Sequence, residues 1–202
     1  MLIQMIKNSL FKNKLFPEMK STDKINPLEL LLHASVFAAE KHKFQRRKGF
    51  LKIPYINHPL KVCKILIDVH EEDKNILCAA ILHDTLEDTE TTETEIKELF
   101  GEKVLKIVME VSDDMSLPSK IRKELQIKKA PSLSREAKLI KIADKASNIA
   151  DLIAYPIKWD KKRKIQYVEW STKVFEKCRG QNAVLDALFE KTSNDALRVF
   201  KQ

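Results

Sequence analysis

The sequence predicts an all-α fold in a single domain, and three observations carry that expectation. Apolar residues recur at intervals of three and four through most of the chain, the spacing that lines one face of a helix. Only 3 glycines punctuate 202 residues. Asn26, Asp73 and Thr92 stand directly before apolar-periodic stretches, where a side-chain oxygen can cap the first free backbone N–H groups. A chain of this length can bury about 70% of its unfolded surface in one core, and no internal repeat, low-complexity tract or long linker divides it. The scarcity of glycine also excludes the Gly-rich loops that cradle phosphates.

The elements follow in order. Residues 1–26 are expected to be an N-terminal extension and residues 27–202 the folded domain. The extension opens with "MLIQMIKNSLFKNKLF", which is basic, amphipathic and free of acids. That composition suits a frayed or packed terminus, and organellar transit sequences and membrane-surface helices share it. The first helix begins at "NPLEL": Asn26 caps, Pro27 takes the first helical position, and Glu29 completes a capping box. It is expected to run to about Lys43 and to give way to the basic loop "KFQRRKGFLKIPYINHP". Pro59 opens a second helix over roughly 59–69, and Asp73 caps a third that carries "NILCAAILHDTLED" as one element. "TTETEIKELFG" has a Thr92/Glu95 capping box and Gly101 as its stop, and "EKVLKIVMEV" continues as another helix. Further helices fit about 118–128, 134–153, 161–178 and 182–200.

Cysteine and charge narrow the setting. Cys63, Cys78 and Cys178 are odd in number, widely spaced and set in apolar helical patterns, so buried reduced thiols are expected rather than a disulfide or zinc framework. No apolar run reaches the roughly 18 to 20 residues that span a bilayer, and no secretory leader is evident. A protein of the cytoplasm, with no membrane partner, is the expectation. The net charge of +8 is local: residues 1–64 hold 13 Lys/Arg against 4 Asp/Glu, and the remainder 24 against 25. Eight basic residues and no carboxylate lie between Lys41 and Lys64, a composition suited to a polyanion. Charge alone does not choose between nucleic acid, an acidic membrane and a phosphorylated small molecule.

The stretch "AAILHDTLEDT", residues 79–89, sets His83, Asp84, Glu87 and Asp88 at the end of a hydrophobic helix. Read as continuous helix, His83 sits beneath Glu87 and Asp84 beneath Asp88. Such a cluster is costly to desolvate unless a divalent cation neutralises it. Two further candidates can complete a ligand set: His58 in "YINHP", at the mouth of the helix that Pro59 opens, and Asp144 in "LIKIADKASNIADL", an acid within an apolar stripe. Two imidazoles and two carboxylates suit Mn²⁺, Fe²⁺ or another ion tolerant of octahedral coordination better than a thiolate zinc site. His33, His42 and His70 lack such company and are read as structural or solvated.

The order His58, His83-Asp84, Asp144 resembles the HD superfamily of metal-dependent phosphohydrolases. More specifically, "RRKGFLKIPYINHPLKV", "AAILHDTLEDTETT", "FGEKVLKIVMEVSDD" and "AKLIKIADKASNIADL" resemble the hydrolase domain of the RelA/SpoT alarmone enzymes, above all the stand-alone metazoan SpoT homologues and bacterial small alarmone hydrolases. The likeness spans about residues 28–190. It implies a single-domain HD-type helical bundle that holds one Mn²⁺ and removes the 3′-pyrophosphate from guanosine tetra- or pentaphosphate. By the same resemblance His58, His83, Asp84 and Asp144 are the metal ligands, and Glu87 and Asp88 the catalytic acids. Arg47 packs on the guanine base, Lys48 contacts phosphate, and Asn148, Arg163 and Tyr167 make further substrate contacts. Arg46 joins the cationic groups, and Tyr55 the aromatic ones. The partner is then a small guanine nucleotide rather than nucleic acid; the oligomeric state is not legible.

Two departures from the family stand out. Ser119 takes the place of a lysine, with Lys120 adjacent as a possible substitute, and Ser147 takes the place of a tyrosine. Two other readings compete: an HD phosphohydrolase acting on another nucleotide such as NADPH, and a binding module that uses the 41–64 stretch with Phe44, Phe50 and Tyr55 as stacking groups. The acidic pair, which repels phosphate and which a binder has no need of, weighs against the second.

Overall fold

The structure, a computed structural model, describes residues 25–202. The first 24 residues, which include the basic amphipathic stretch of the expected extension, lie outside the described residues. Helices dominate: α1 (Pro27–Lys41), α2 (Asn57–Asp68), α3 (Lys74–Leu82), α4 (Thr85–Asp88), α5 (Glu93–Phe100), α6 (Glu102–Val111), α7 (Ser119–Lys129), α8 (Arg135–Ala154), α9 (Lys161–Cys178) and α10 (Ala183–Lys201), with a 3₁₀ turn at Ala130–Ser132. Among the described residues the only β-type pairing is an isolated bridge between Arg46 and Pro54. No helix among them is long and apolar enough to cross a membrane.

Local chemistry sets the boundaries. Asn26 Oδ1 accepts from the Leu28 N–H, Asp73 Oδ1 from Asn75, and Thr92 and Glu95 close a capping box from both sides. Gly101, at φ 87°, ends α5 in a conformation that a Cβ would oppose. α2 starts at Asn57, two residues before the expected Pro59. A proline fits the third position because the N–H groups of a first turn have no intrahelical partner. His58 therefore lies inside the first turn rather than ahead of it.

The core is organised around α8, which packs against α2, α6, α9 and α10. Leu139, Ile140, Ala143 and Ile149 on α8 are fully buried, and Phe175 of α9 stacks on Phe189 of α10 with ring centroids 4.2 Å apart. Truncating such a core phenylalanine to alanine costs about 3–5 kcal/mol. Because α8 is enclosed on most sides, the polar residues it carries inward, Lys141, Asp144, Lys145 and Ser147, are buried too. Polar groups so placed need partners. The three cysteines are free and buried, as expected.

The basic loop between α1 and α2 folds back on itself. Arg47 N–H donates to Ile53 O at 2.9 Å and Tyr55 N–H to Gln45 O at 3.2 Å. Its tip lies against the α8–α9 connection, where Phe50 N–H donates to Pro156 O at 3.3 Å. Gly49 sits there at φ 130°, and a Cβ on it would come within 2.9 Å of Pro156 O. Glycine is thus required where the loop that carries Arg46, Arg47 and Lys48 touches the rest of the fold.

Candidate active site

The expected continuous helix through "LHDTLED" is interrupted. α3 ends at Leu82 and α4 begins at Thr85, with His83 and Asp84 as a turn between them. Side chains occupy carbonyls at the break: His83 Nδ1 bonds Ala80 O at 2.8 Å, and Thr85 Oγ1 donates to Leu82 O at 2.7 Å. Both take carbonyls that the helical ladder would otherwise use. The two-tier arrangement read from sequence is altered in consequence. Glu87 Oε1 accepts from Asp113 N–H at 2.6 Å, whereas Asp88 Oδ2 accepts from Gln45 Nε2 at 2.9 Å. The two acids diverge, Glu87 into the cavity that holds His83 and Asp84, Asp88 into the adjoining cleft.

His58 from α2 and Asp144 from α8 meet the His83-Asp84 turn. His58 Nε2 lies 3.1 Å from Asp144 Oδ1 and 3.7 Å from Asp84 Oδ2; His83 Nε2 lies 3.1 Å from Asp84 Oδ2 and 3.9 Å from Asp144 Oδ1. His58, His83 and Asp84 each offer one ligand atom within 4.8 Å of the others. A first-row divalent ion bound at about 2.1 Å would place adjacent ligand atoms about 3.0 Å apart and opposite ones about 4.2 Å apart. The observed separations fall in that interval. The imidazoles are also presented correctly: His83 Nδ1 faces a carbonyl and His58 Nδ1 faces Ser147 Oγ at 3.2 Å, which leaves each Nε2 turned inward. His83 Nε2 is buried without an aligned hydrogen bond, its approach to Asp84 being an ion-pair contact. These residues fit a divalent metal.

The carboxylates of the cluster favour positive charge beside them. Burial opposes charge on His83, but the Asp84 carboxylate overcomes it and holds the imidazole up at about 9. Burial likewise pushes His58 down, against the pull of Asp144. Against burial, His83 keeps Asp84, and Lys145 keeps Asp144, below the ordinary carboxylate range. Burial and then the Asp84 charge push Glu87 up to about 7. Lys145 Nζ donates to Asp144 Oδ2 at 2.9 Å and lies 4.7 Å from the Trp170 ring centroid, and buried Lys141 donates to Val111 O at 2.6 Å.

Three cavities adjoin. The cavity of the candidate metal ligands, about 230 Å³, is lined by His58, His83, Asp84, Glu87 and Asp144, with Arg47, Tyr55, Asn148 and Tyr167 on its wall. Arg47, Tyr55, Asn148 and Tyr167 also wall a cleft of about 330 Å³ that holds Arg46, Lys48 and Asp88. Arg163 lies in a third cavity of about 320 Å³, again bounded by Tyr167. Every site residue named from the sequence for the hydrolase reading lines one of the three. Arg47 donates to Asn148 Oδ1 at 2.6 Å and Asp151 Oδ2 at 3.1 Å, and its guanidinium lies 5.5 Å from the Tyr55 ring centroid. Tyr55 O–H donates to Asp84 Oδ2 at 2.8 Å, and Asn148 Nδ2 to Asp144 Oδ1 at 2.5 Å. Arg46 bonds backbone carbonyls of its own loop, Lys43 O and Gln45 O. Phe44 and Phe50 are exposed and line none of the three cavities.

Sequence reasoning missed several participants. His42, read as structural or solvated, is buried and stacked 4.8 Å from Tyr55, and its Nδ1 lies 2.6 Å from Gln45 Oε1. Gln45 in turn holds Asp88, a link across 43 positions that no local pattern announces. Lys123, Lys141, Lys145 and Asp151 were likewise passed over. A lysine within an apolar helical stripe, as at 141 and 145, is the one signal that could have flagged two of them.

An all-helical domain in which two histidines and two aspartates from three separate segments converge on a polar cavity has the architecture of a metal-dependent hydrolase. The chain belongs to the HD domain family, whose model matches residues 34–175, and within it to the SpoT-type hydrolases. It is 50% identical over 161 residues to the guanosine-3′,5′-bis(diphosphate) 3′-pyrophosphohydrolase MESH1 of Xenopus tropicalis, covering 78% of this chain and 89% of the relative. To the human protein of the same name it is 46% identical over 160 residues, covering 77% and 88%. A solved structure described as a metazoan ortholog of SpoT that hydrolyzes ppGpp and plays a role in starvation responses superposes with a TM-score of 0.81 at 39% identity, over 85% of this chain and 97% of that one.

Proposed function

We propose that this chain is a Mn²⁺-dependent guanosine-3′,5′-bis(diphosphate) 3′-pyrophosphohydrolase of the cytoplasm, which converts guanosine tetra- or pentaphosphate to GDP or GTP and pyrophosphate. The observation that carries the reading is the convergence of His58, His83, Asp84 and Asp144 on one cavity at separations a first-row divalent ion would span. The relatives named for this activity support the choice of substrate.

His58, His83, Asp84 and Asp144 would hold a divalent ion, which would supply Lewis acidity for the phosphoryl group and for water. Burial pushes the Glu87 carboxyl up, which suits it to exchange a proton near the working pH, and the Asp113 N–H fixes the carboxylate that does so. It takes the proton of the attacking water and returns one to the departing 3′-oxygen. Asp88, steadied by Gln45, completes the pair from the cleft side. Arg47 offers a planar guanidinium face to the guanine, which a lysine there could not do, while Asn148 and Asp151 hold its edge. Lys48, Arg46 and Arg163 would offset phosphate charge, and Tyr167, common to all three cavities, would make a further substrate contact.

The test is a turnover panel of ppGpp, pppGpp, NADPH, GTP and dNTPs with Mn²⁺, Mg²⁺ or chelator present. Pyrophosphate release from ppGpp that depends on Mn²⁺ is expected. Higher kcat/KM for NADPH than for ppGpp would overturn the substrate assignment.

A further inference from the structure

We propose that Lys123 is a phosphate-binding residue: where the metal-ligand cavity opens into the third cavity, its ammonium grips the nucleotide's 5′-diphosphate, the phosphate chain that lies away from the metal ligands. This rests on the nucleotide-hydrolase reading above but adds a residue and a subsite to it.

Lys123 is the cation that lines both cavities. Its place is fixed: the Trp170 indole N–H donates to the Lys123 carbonyl at 3.1 Å and ties α7 to α9, while the ammonium lies 4.9 Å from the Trp170 ring centroid and 5.7 Å from that of Tyr167. Aromatic faces lie on this side of the charge, and among the described residues no oxygen pairs with it. Among the described residues no carboxylate pairs with Lys123, with Lys162 or with Arg163, whose guanidinium lies 4.3 Å from the Trp159 ring centroid. The acid on the third cavity's wall, Asp160, is engaged as the helix cap, accepting from the Arg163 N–H at 2.7 Å. Burial, and then repulsion from Arg163, Lys145 and Lys48, hold the Lys123 ammonium below its ordinary range. Cations crowded in this way are relieved by a multiply charged anion, and a phosphate chain supplies one.

The neighbouring positions on α7 sharpen the choice. Ser119, which stands where the resembled family has lysine, lines the metal-ligand cavity, but Lys120 lines none of the three. The substitution by Lys120 that the sequence left open therefore has no support in the geometry. Lys123, one turn beyond Ser119, shares its face.

The two tryptophans of the chain, Trp159 and Trp170, line these cavities, so their fluorescence can report binding directly. GDP and guanosine would be titrated into the Mn²⁺-loaded full chain and into Lys123→Met, Lys123→Arg and Lys120→Met. Loss of one charge-assisted contact should weaken GDP by about 10-fold or more in Lys123→Met. Lys123→Arg should keep most of the affinity, Lys120→Met all of it, and guanosine should bind all four alike. An unchanged GDP affinity in Lys123→Met, or an equal loss for guanosine, would overturn the assignment. Hydrolysis of ppGpp by the unmutated chain is followed in parallel. If it is absent while Lys123→Met still loses GDP, the activity reading fails and the phosphate site stands; if it is present and GDP affinity does not move, the phosphate site alone fails.

Discussion

Replacing Ser147 by alanine isolates what one hydroxyl contributes to metal binding. Ser147 Oγ lies 3.2 Å from His58 Nδ1, and both residues are 2% exposed. Deleting the oxygen leaves a cavity smaller than a water molecule, so no solvent replaces it, and His58 Nδ1–H is left buried without its partner. An unsatisfied buried donor costs about 1–3 kcal/mol, and loss of such outer partners weakens metal binding about 10- to 100-fold. The contact is long for a hydrogen bond to a hydroxyl, which places the expectation at the lower end, about 10-fold or roughly 1.4 kcal/mol. The fold itself should hold, since alanine favours a helix interior more than serine does. Calorimetric titration of Mn²⁺ into the unmutated chain, Ser147→Ala and Ser147→Thr would measure it, with thermal melts to confirm folding. Threonine should restore most of the affinity. A Mn²⁺ dissociation constant in Ser147→Ala within twofold of the unmutated value would refute the idea that this hydroxyl orients His58.

Asp84→Ala removes a ligand atom that faces both imidazoles, and should abolish Mn²⁺ binding and hydrolysis together; stoichiometric metal in the folded variant, measured by elemental analysis, would count against the site. Glu87→Gln should keep the ion and lose at least about 100-fold in kcat, as expected when a proton-transfer group is removed. Asp88→Asn, in the adjoining cleft, should be milder and should register partly in KM; metal loss in either variant would make that residue a ligand instead. Arg47→Ala should lower guanine-over-adenine discrimination by about 5- to 30-fold, the worth of a partly desolvated stacking contact, and an unchanged ratio of kcat/KM for ppGpp and its adenine counterpart would sink the stacking role.

The sequence was most informative where the physics is local. The caps at Asn26, Asp73 and Thr92, the stop at Gly101 and the long helices near 161–178 and 182–200 follow from side chains within four residues of the boundary. His58, His83, Asp84 and Asp144 could be grouped in advance because ionisable residues beside apolar stripes demand compensation. What could not be read arises from competition or from distance. The break at His83-Asp84 depends on which donor captures the Ala80 and Leu82 carbonyls, an outcome that periodicity does not encode. The divergence of Glu87 from Asp88 depends on that break and on partners at Gln45 and Asp113, far away in sequence. Where Lys141 and Lys145 find their partners depends on the packing of other helices on α8: Lys141 donates to Val111 O at the end of α6, 30 positions away.

Tyr55 joins two tasks that are usually altered one at a time. Its hydroxyl bonds the Asp84 oxygen that also faces His58 and His83, and its ring lies against Arg47. Anything that draws Arg47 toward a nucleobase acts on that ring, and anything that loads Asp84 acts on that hydroxyl. The two affinities are then bound by thermodynamic reciprocity: whatever factor the nucleotide contributes to holding the ion, the ion returns to holding the nucleotide. Order-of-addition titrations would show it as a product of dissociation constants that is the same along both routes, with steps that differ. A change made at Tyr55 to retune base preference would carry a penalty in metal retention, so selection for a new substrate and selection for a scarcer ion would pull on the same side chain.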